Sequence, residues 1–245
     1  MNKNALRGIG AAALLVMGLT ACVGPAASTE AASAPASETV AATPTPTPTA
    51  AKQYTAEELT AIALQLRDIN GLKLSVMSMA DASGVEQQSR AMFEGAVIEP
   101  AECKELMLAS LLPTENVKGV VGTSLDTSTG SSTGVTLSSG VDEELIKADF
   151  AKQDQISDCS GMTMKMGETT VTLKARKVEA IVSTPLSMAM RTDSVFADGR
   201  KQSMIMVRGA KDGIVITGLA YGGKTEEEAI ARAVDLVNQA AALIK

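Results

Sequence analysis

All five aromatic residues of this chain, two Tyr and three Phe, lie at or after position 54. The preceding segment, residues 23–53, contains five of the eight prolines and only three charged side chains. A segment without aromatic residues cannot bury enough apolar surface to form a core when its composition is this rich in Pro, Thr and Ala. The sequence therefore confines folding to residues 54–245, a length that suits one medium-sized domain.

The first 21 residues have the pattern of a secretory signal peptide. Lys3 and Arg7 precede an apolar run from Ile9 to Leu19, and this order matches the charged and apolar regions of such signals. The run is too short to cross a hydrocarbon core of about 30 Å, which disfavours a transmembrane helix. We expect residues 1–21 to be removed on export.

Cys22 ends the run Leu19-Thr20-Ala21-Cys22, which resembles the lipobox of bacterial lipoproteins. The resemblance implies that Cys22 becomes the first residue of the mature chain and carries two or three acyl chains, such as palmitate. Two or more chains hold a protein stably at a membrane. The expected location is the cell membrane, with the chain facing the extracytoplasmic side. The alternative is an ordinary signal peptide followed by a chance Cys.

Residues 22–53 are predicted to form a lipidated, disordered linker rich in Thr, Pro and Ala. Its repeat at residues 43–49 alternates Thr with Pro and favours polyproline II, which rises about 3.1 Å per residue. The whole linker would then extend up to roughly 90 to 100 Å. This linker is predicted to be a spacer between a membrane and the domain at 54–245.

Four helices are predicted in the domain. Two of them begin with capping boxes, at Thr55–Glu58 and Thr225–Glu228, in which a Thr and a Glu three residues apart satisfy each other's backbone N–H groups. Each box is followed by apolar residues at helical spacing, which are Leu59, Ile62, Ala63, Leu66 and Ile69 in the first helix, and Ile230, Ala233, Val234, Val237, Ala241 and Ile244 in the last. Shorter helices are predicted at 100–111 and 142–152.

The remaining sequence predicts strands, because apolar and polar residues alternate between turns that contain Gly. Gly167-Glu168 is expected to join a hairpin, and Asp198-Gly199 and Asp212-Gly213 to join the strands that follow. Short turns of this kind connect antiparallel strands. The predicted fold class is α+β, an antiparallel meander flanked by helices that include an N-terminal and a long C-terminal one. Residues 123–140 are predicted to be a loop with one short strand at 135–137.

Two cysteines remain once Cys22 is assigned to lipid. Cys103 and Cys159 would be delivered to an oxidising compartment, where disulfides persist. We expect a bond between them, which would restrict the unfolded chain by about 4 kcal/mol on the loop-entropy model. The alternative is a reactive or metal-binding pair of thiols.

The segments around these two cysteines resemble the PknH-like extracellular sensor domains of actinobacteria. The resemblance rests on Pro100-Ala101-Glu102-Cys103 at the start of a helix and on Asp158-Cys159-Ser160 at the start of a strand, together with the signal, lipobox and tether. It covers about residues 95–245. It implies an antiparallel sheet flanked by helices around a ligand-binding cleft, with no established catalysis.

Composition excludes several functions. A net charge of −6 does not suit binding to nucleic acid phosphates. The chain contains no His, which removes His-dependent nucleophiles and His-ligated zinc sites, and no catalytic residue, cofactor or metal is expected. The match to G-x-S-x-G at residues 130–134 is attributed to chance, because a nucleophile elbow needs a His elsewhere. An enzyme using carboxylate or Lys chemistry stays as a minor alternative.

Nine methionines occur in alternating groups, and four of them, Met188, Met190, Met204 and Met206, fall on two adjacent predicted strands. Residues two apart share one face of a strand. The first interpretation is a Met-rich core, since the unbranched thioether fills irregular gaps. The second is an adaptable apolar cleft, for which these four residues are the candidate ligand-binding residues. A Cu(I) site formed by thioethers is a third and weaker alternative.

The function that these features favour is a non-catalytic, sensor-like domain that binds an unknown ligand or protein partner in the cell envelope. A structural or assembly lipoprotein is the main alternative, and a carrier of apolar lipid is a further one. Basic residues at Lys174, Arg176 and Lys177 suit either a site for a small anion or anionic glycan or a solvated sheet edge that guards against aggregation, and the second is preferred.

Overall fold

A computed structural model of the chain describes residues 52–81, 91, 93–109, 117–156, 159 and 161–245. The predicted signal peptide, the predicted lipidation site Cys22 and the linker up to residue 51 lie outside these residues. So do Ser110 and Leu111, the end of the second predicted helix, and the residues on either side of Cys159.

The described domain is built on one nine-stranded sheet in which every pairing is antiparallel. The strands are β1 (Ser75–Ser78), β2 (Val97–Glu99), β3 (Lys118–Asp126), β4 (Ser131–Ser139), β5 (Met162–Met166), β6 (Thr169–Lys177), β7 (Leu186–Phe196), β8 (Lys201–Lys211) and β9 (Ile214–Tyr221). Their spatial order is β1-β3-β4-β9-β8-β7-β6-β5-β2. Helices pack on the sheet, so the α+β class is confirmed.

The helices that pack on the sheet include α1 (Ala56–Ala63), α2 (Ala101–Ala109), α3 (Glu143–Ile156) and α4 (Glu226–Leu243). Helices α1 and α4 pack on one face of the sheet, which we call the first face. The apolar residues of α2 and α3 contact strands on the opposite side, which we call the second face. This division follows from strand pairing, since directly opposed residues share a face.

Strands β5 to β9 form the predicted meander. The turn between β8 and β9 consists of Asp212 and Gly213, with φ angles of 50° and 75°, as a two-residue hairpin turn of the primed type requires. Asp198 supports the turn between β7 and β8 by accepting a hydrogen bond from the N–H of Arg200 at 3.0 Å. The turn residues named from sequence therefore lie in turns.

The prediction of a loop over most of 123–140 was wrong, although the short strand predicted at 135–137 lies within β4. Strands β3 and β4 span nine residues each and pair along their whole length, and β4 pairs with β9 in the middle of the sheet. Their first-face positions are filled by Val120, Val135 and Leu137, all buried. Thr and Val are strand-forming residues. The small Ser and Gly residues between them obscured the alternation of apolar and polar side chains in the sequence.

Helix α1 begins as predicted and ends earlier. The Thr55 hydroxyl accepts from the N–H of Glu58, and the Glu58 carboxylate accepts from the N–H of Thr55, which completes the capping box. The helix ends at Ala63, although Leu66 beyond it is still buried. Ile69, the last residue of the predicted stripe, is 51% exposed, because the chain has already turned.

Helix α4 begins with half of the second predicted box. The Thr225 hydroxyl accepts from the N–H of Glu228 at 3.2 Å, whereas the Glu228 carboxylate accepts from the N–H of Lys224 at 3.0 Å. The buried stripe of α4 lies against β8 and β9, where Gly218 allows close approach. A Cβ atom at residue 218 would lie 2.4 Å from the carbonyl oxygen of Ala233.

The second face is covered by smaller clusters and by the predicted disulfide. Cys103 of α2 is bonded to Cys159, and their Cα atoms are 5.6 Å apart. Both residues are buried beside Met162 and Met164 of β5. The bond therefore joins α2 to the segment that leads into β5, as the sequence predicted.

Candidate functional site

The four candidate methionines lie on the second face of β7 and β8. Met190 is directly opposite Met206, Met188 is opposite Arg208, and Met204 is opposite Thr192. Met190 is 4% exposed, whereas the other three are partly exposed. The sheet thus brings these four side chains to one surface, as their spacing predicted.

Only one of the four borders a cavity among the three cavities described here. Met188 lines a cavity of about 320 Å³ together with Val178 and Ala180. The cavities of about 730 Å³ and about 240 Å³ have other linings. A role of Met190, Met204 and Met206 in ligand binding stays a prediction.

The largest of these cavities is a groove at the end of strands β7, β8 and β9, which we call the strand-end groove. Its volume is about 730 Å³, within the range of about 300 to 1,000 Å³ that is typical of small-molecule sites. Its apolar lining consists of Ile146 from α3, Pro185 and Leu186 at the start of β7, and Ala210 of β8. Leu186 is 36% exposed, so apolar surface is open to solvent in this groove.

The strand-end groove continues the face that carries the methionines. Leu186 is directly opposite Ala210, and this pair lies two residues along the strands from the pair of Met188 and Arg208. Residues two apart on a strand share a face. The part of the groove formed by Leu186 and Ala210 therefore shares a surface with the candidate methionines. Lys211, the next residue of β8, points to the first face, where its Nζ contacts the end of α4.

A buried ion pair holds α3 against this surface. Arg208 of β8 donates to the carboxylate of Asp149, and both side chains are less than 10% exposed. The Arg208 guanidinium also lies 5.5 Å from the ring centroid of Phe150. Breaking a buried pair by removing one partner is strongly destabilising, so this contact fixes the wall of the groove that Ile146 provides.

Four lysines surround the apolar lining of the groove: Lys52, Lys147, Lys211 and Lys245. The acidic side chains in the lining are Glu143 and Asp212. Two of the lysines also pair with acidic side chains outside this lining, Lys52 with Glu58 and Lys147 with Glu144. With these two carboxylates included, the positive and negative side chains around the groove balance.

Each lysine whose contacts are described is held in place by neighbours. Lys211 donates from Nζ to the carbonyl oxygens of Ala241 and Ile244, at 2.8 and 2.9 Å. These acceptors are neutral, so they do not cancel its charge. Lys52 lies over the Tyr54 ring, with Nζ 4.1 Å from the centroid.

Lys52 has one acidic neighbour, Glu58, at 3.9 Å, and Lys147 of α3 has two. The Nζ of Lys147 is 3.0 Å from a carboxylate oxygen of Glu143 and 3.0 Å from one of Glu144. The hydrogen bonds that Lys147 donates to Glu143 and then to Glu144 raise its pKa. The ammonium group therefore stays charged at neutral pH.

A second charged cluster lies on the first face, at the start of α4. Arg176 and Arg191 both donate to the carboxylate of Glu226, and Arg191 also holds Asp193 through two of its nitrogens. Ser203 donates to Asp193. Two cations and two anions balance here, and the contacts tie the first turn of α4 to β6 and β7.

The pKa values in this cluster follow these contacts. The hydrogen bond from Arg191 lowers the pKa of Asp193 below its ordinary value, with a smaller contribution from Ser203. Burial raises the pKa of Glu226, but hydrogen bonds from Arg176 and Arg191 together outweigh it and leave that pKa lowered. Both carboxylates are ionised at neutral pH, so Arg176 is engaged in a balanced pair and has a structural role. The expectation of an edge strand was wrong, because β6 pairs with β5 on one side and with β7 on the other.

Arg232 of α4 is a buried cation that the sequence did not single out. It is 1% exposed and donates to the carbonyl oxygens of Ser132, Tyr221 and Gly222 and to the Thr133 hydroxyl. These bonds connect the middle of α4 to β4 and to the end of β9. An Arg within an apolar helical stripe is the sequence signal for such a contact.

Metal sites and membrane spans are both absent from the described part of the chain. No group of three or more His, Cys, Asp or Glu residues there could hold a metal ion. None of the helices in that part has both the length and the apolar character needed to span a membrane.

Comparisons with known proteins gave remote structural matches only. No protein-family model and no curated protein sequence matches this chain. Among solved structures, the extracellular domain of PknH from Mycobacterium tuberculosis matches with a TM-score of 0.47 and 11% identity, over 77% of this chain and 97% of that chain. An uncharacterised protein from Mycobacterium smegmatis matches with a TM-score of 0.40 and 15% identity, over 62% of this chain and 77% of that one. At such values the similarity concerns the course of the backbone and does not extend to a ligand or an activity.

Proposed function

We propose that this protein is a lipid-anchored extracytoplasmic protein whose folded domain binds a ligand without catalysis. The domain stands away from the cell membrane on the linker of residues 22–53, with Cys22 acylated. The ligand occupies the strand-end groove, and the domain acts as a sensor-like or carrier module of the envelope.

The observation that supports this proposal most strongly is the strand-end groove itself. It has the volume of a small-molecule site, about 730 Å³, and combines an open apolar lining with a few fixed polar groups, as ligand pockets do. Its walls come from α3, β7 and the β8–β9 turn, and α3 is fixed by the Arg208–Asp149 pair. A groove with rigid walls is preorganised, which lowers the free-energy cost of binding.

Support for the anchor comes from the sequence alone. Lys3, Arg7 and the apolar run that follows are typical of an exported chain, and Leu19-Thr20-Ala21-Cys22 supplies the thiol that lipoprotein processing needs. The disulfide between Cys103 and Cys159 agrees with an oxidising compartment outside the cytoplasm.

The anchor is tested by expressing the full chain in a bacterium that processes lipoproteins, with Cys22→Ser as the variant. We expect wild-type protein to partition into detergent and to begin at an acylated Cys22 by mass spectrometry. Cys22→Ser should keep its signal peptide. Cys103→Ser combined with Cys159→Ser is the matched control, because it replaces cysteines elsewhere in the chain and should leave acylation intact. Recovery of soluble, correctly cleaved Cys22→Ser protein would contradict the lipid anchor.

Ligand binding is tested on the protein purified from its own membranes under native conditions. Small molecules extracted from it are identified by mass spectrometry and compared with those from Leu186→Gln protein purified in parallel. A compound present in the first sample and depleted in the second supports ligand binding in the groove. Chemical crosslinking in the same membranes tests the alternative. A crosslinked protein partner, with no small molecule in either sample, would favour the structural or assembly function instead.

A further inference from the structure

The apolar part of the strand-end groove is aliphatic. It is formed by Ile146, Pro185, Leu186 and Ala210, and no aromatic residue is among the described residues of the lining. Planar ring ligands gain affinity by stacking on aromatic side chains, and this lining offers them no such contact. An alkyl chain needs only apolar area, which Leu186 at 36% exposure leaves open to solvent. The lining therefore favours an aliphatic ligand over a planar ring.

Two of the lysines at the groove are opposed by carboxylates. The Nζ of Lys147 is 3.0 Å from Glu143 and 3.0 Å from Glu144, and the Nζ of Lys52 is 3.9 Å from Glu58. An anionic head group would compete with these carboxylates for the same ammonium groups and would give up its own hydration. A cationic head group would compete with the lysines in the same way. Neither sign of charge is therefore left unopposed by these pairs.

The other charged residues of the lining, Lys211, Asp212 and Lys245, do not select a charged ligand either. Lys211 directs its Nζ to carbonyl oxygens at the end of α4 on the first face, away from the apolar lining. Asp212 and Lys245 are exposed and have opposite charges. With the pairing carboxylates included, the side-chain charges around the groove balance. A buried charge without a partner costs free energy, and an uncharged ligand avoids that cost.

We propose that the strand-end groove binds uncharged aliphatic compounds, in which one alkyl chain ends in a hydroxyl group or an ester. This inference rests on the proposed function and specifies its ligand class. The alkyl chain lies against Ile146 and Leu186, and its neutral end lies at the rim, within reach of solvent. Arg208 stays engaged with Asp149 and serves as part of the wall.

Binding is measured on residues 23–245, secreted without the acylated Cys22 so that neither acyl chains nor detergent compete with the probe. The probe is methyl cis-parinarate, an uncharged linear polyene whose fluorescence rises in apolar surroundings. Competition with decan-1-ol and with methyl decanoate distinguishes an alcohol from an ester, whereas decanoate and decyltrimethylammonium carry the two signs of charge. The aromatic competitor is 2-naphthol, which has the same number of carbon atoms as decan-1-ol.

We expect saturable binding of the probe and its displacement by decan-1-ol, by methyl decanoate or by both. Decanoate, decyltrimethylammonium and 2-naphthol should each compete at least tenfold more weakly than the better of these two. Thermal unfolding of the wild type and of every variant shows that the protein is folded.

Leu186→Gln tests the apolar lining and should weaken binding of the probe about tenfold, because one apolar side chain is lost from the contact. Val195→Gln is the matched control: it lies near the other end of β7 and is similarly exposed, 38% against 36%. This control should bind as wild type does.

Glu143→Gln combined with Glu144→Gln tests the charge balance. Any apolar surface disfavours a charged head, so only a change made at the groove shows that its own charges contribute. The double variant leaves Lys147 without the carboxylates that oppose it and should bind decanoate at least fivefold more tightly than wild type, with binding of the probe unchanged. Glu102→Gln combined with Glu105→Gln removes the same number of charges from exposed positions on α2 and should change neither.

Four outcomes would overturn the inference. Wild-type competition by decanoate or 2-naphthol as strong as that by decan-1-ol would remove the uncharged aliphatic class, while ligand binding by the groove would stand. Equal effects of both pairs of Glu substitutions on decanoate would place the electrostatic effect outside the groove. Binding of the probe that Leu186→Gln leaves unchanged would place the site elsewhere. Absence of binding by the probe and all competitors would exclude this ligand class, and the ligand-binding function would then be decided by the molecules that copurify from native membranes.

Discussion

The two faces of the sheet are packed by different means. On the first face, one continuous core joins α1 and α4 to the central strands, and residues such as Leu137, Leu236 and Val237 are fully buried. The described buried members of this core include no methionine. Small residues let the helix lie close to the sheet, as at Gly218. This face has the dense packing of a rigid scaffold.

The second face is divided into two smaller clusters. One contains Met162 and Met164 with the disulfide, and the other joins Ile146 of α3 to Ala210 and Val215. Covalent and ionic contacts supplement the packing there, through Cys103–Cys159 and Arg208–Asp149. Methionine adapts its shape to its neighbours. The scaffold therefore lies on one face, whereas the helical wall of the groove is α3, which the Arg208–Asp149 pair fixes to the other face.

Among substitutions that compare the two faces, removal of the disulfide should lower the free energy of unfolding most. Cys103→Ala combined with Cys159→Ala should lower the free energy of unfolding by about 3 kcal/mol, because a long loop is no longer closed in the unfolded chain. Chemical denaturation of the oxidised wild type and the double variant measures the difference.

A matched substitution distinguishes the crosslink from ordinary packing in the same cluster. Met164→Leu keeps the apolar volume and should cost less than about 1.5 kcal/mol. Equal unfolding midpoints of the wild type with and without reductant would show that the second face does not depend on its crosslink.

Gly→Ala substitutions on the two faces should differ in their effect on the free energy of unfolding. Gly218→Ala on the first face should cost about 2 kcal/mol, because the added Cβ would lie 2.4 Å from the Ala233 carbonyl oxygen and something must shift. Gly134→Ala, on the second face, meets nothing closer than 3.5 Å and should be neutral or stabilising by about 0.5 kcal/mol. Urea unfolding of both variants tests this, and similar costs would refute the difference in closeness of packing at these two positions.

The parts of the fold that were predicted correctly have local causes. Capping side chains are within three residues of the groups they bond, as with Thr55 and Glu58, and a hairpin turn such as Asp212-Gly213 determines its own geometry. Strands β3 and β4 were missed because their strand character depends on neighbours: β4 is stabilised by pairing with β9, which is remote in sequence. The short edge strands β1 and β2 depend on pairing in the same way.

The candidate site was predicted only in part, for the same reason. The alternation of Met188 with Met190 and of Met204 with Met206 indicated a shared face, because strand periodicity is local. The strand-end groove combines Lys52, α3, the start of β7 and the β8–β9 turn. No periodicity connects segments so far apart in the chain, and only the sheet order brings them together.

Acidification should change the free energy of unfolding least. Its effect arises in the charged cluster on the first face. Asp193 and Glu226 have pKa values lowered from the ordinary 3.8 and 4.5. Their contribution to stability is therefore full above these ordinary values and is lost as the pH falls through the lowered pKa values of the folded state. Asp193→Asn combined with Glu226→Gln should cost at most about 1 kcal/mol at pH 7, since these partly exposed pairs are screened by solvent, and nothing once the carboxyls are protonated. Glu168→Gln combined with Glu179→Gln, both exposed, is the control. A difference between variant and wild type that persists unchanged into acid would mean that the cluster acts through packing and not through charge.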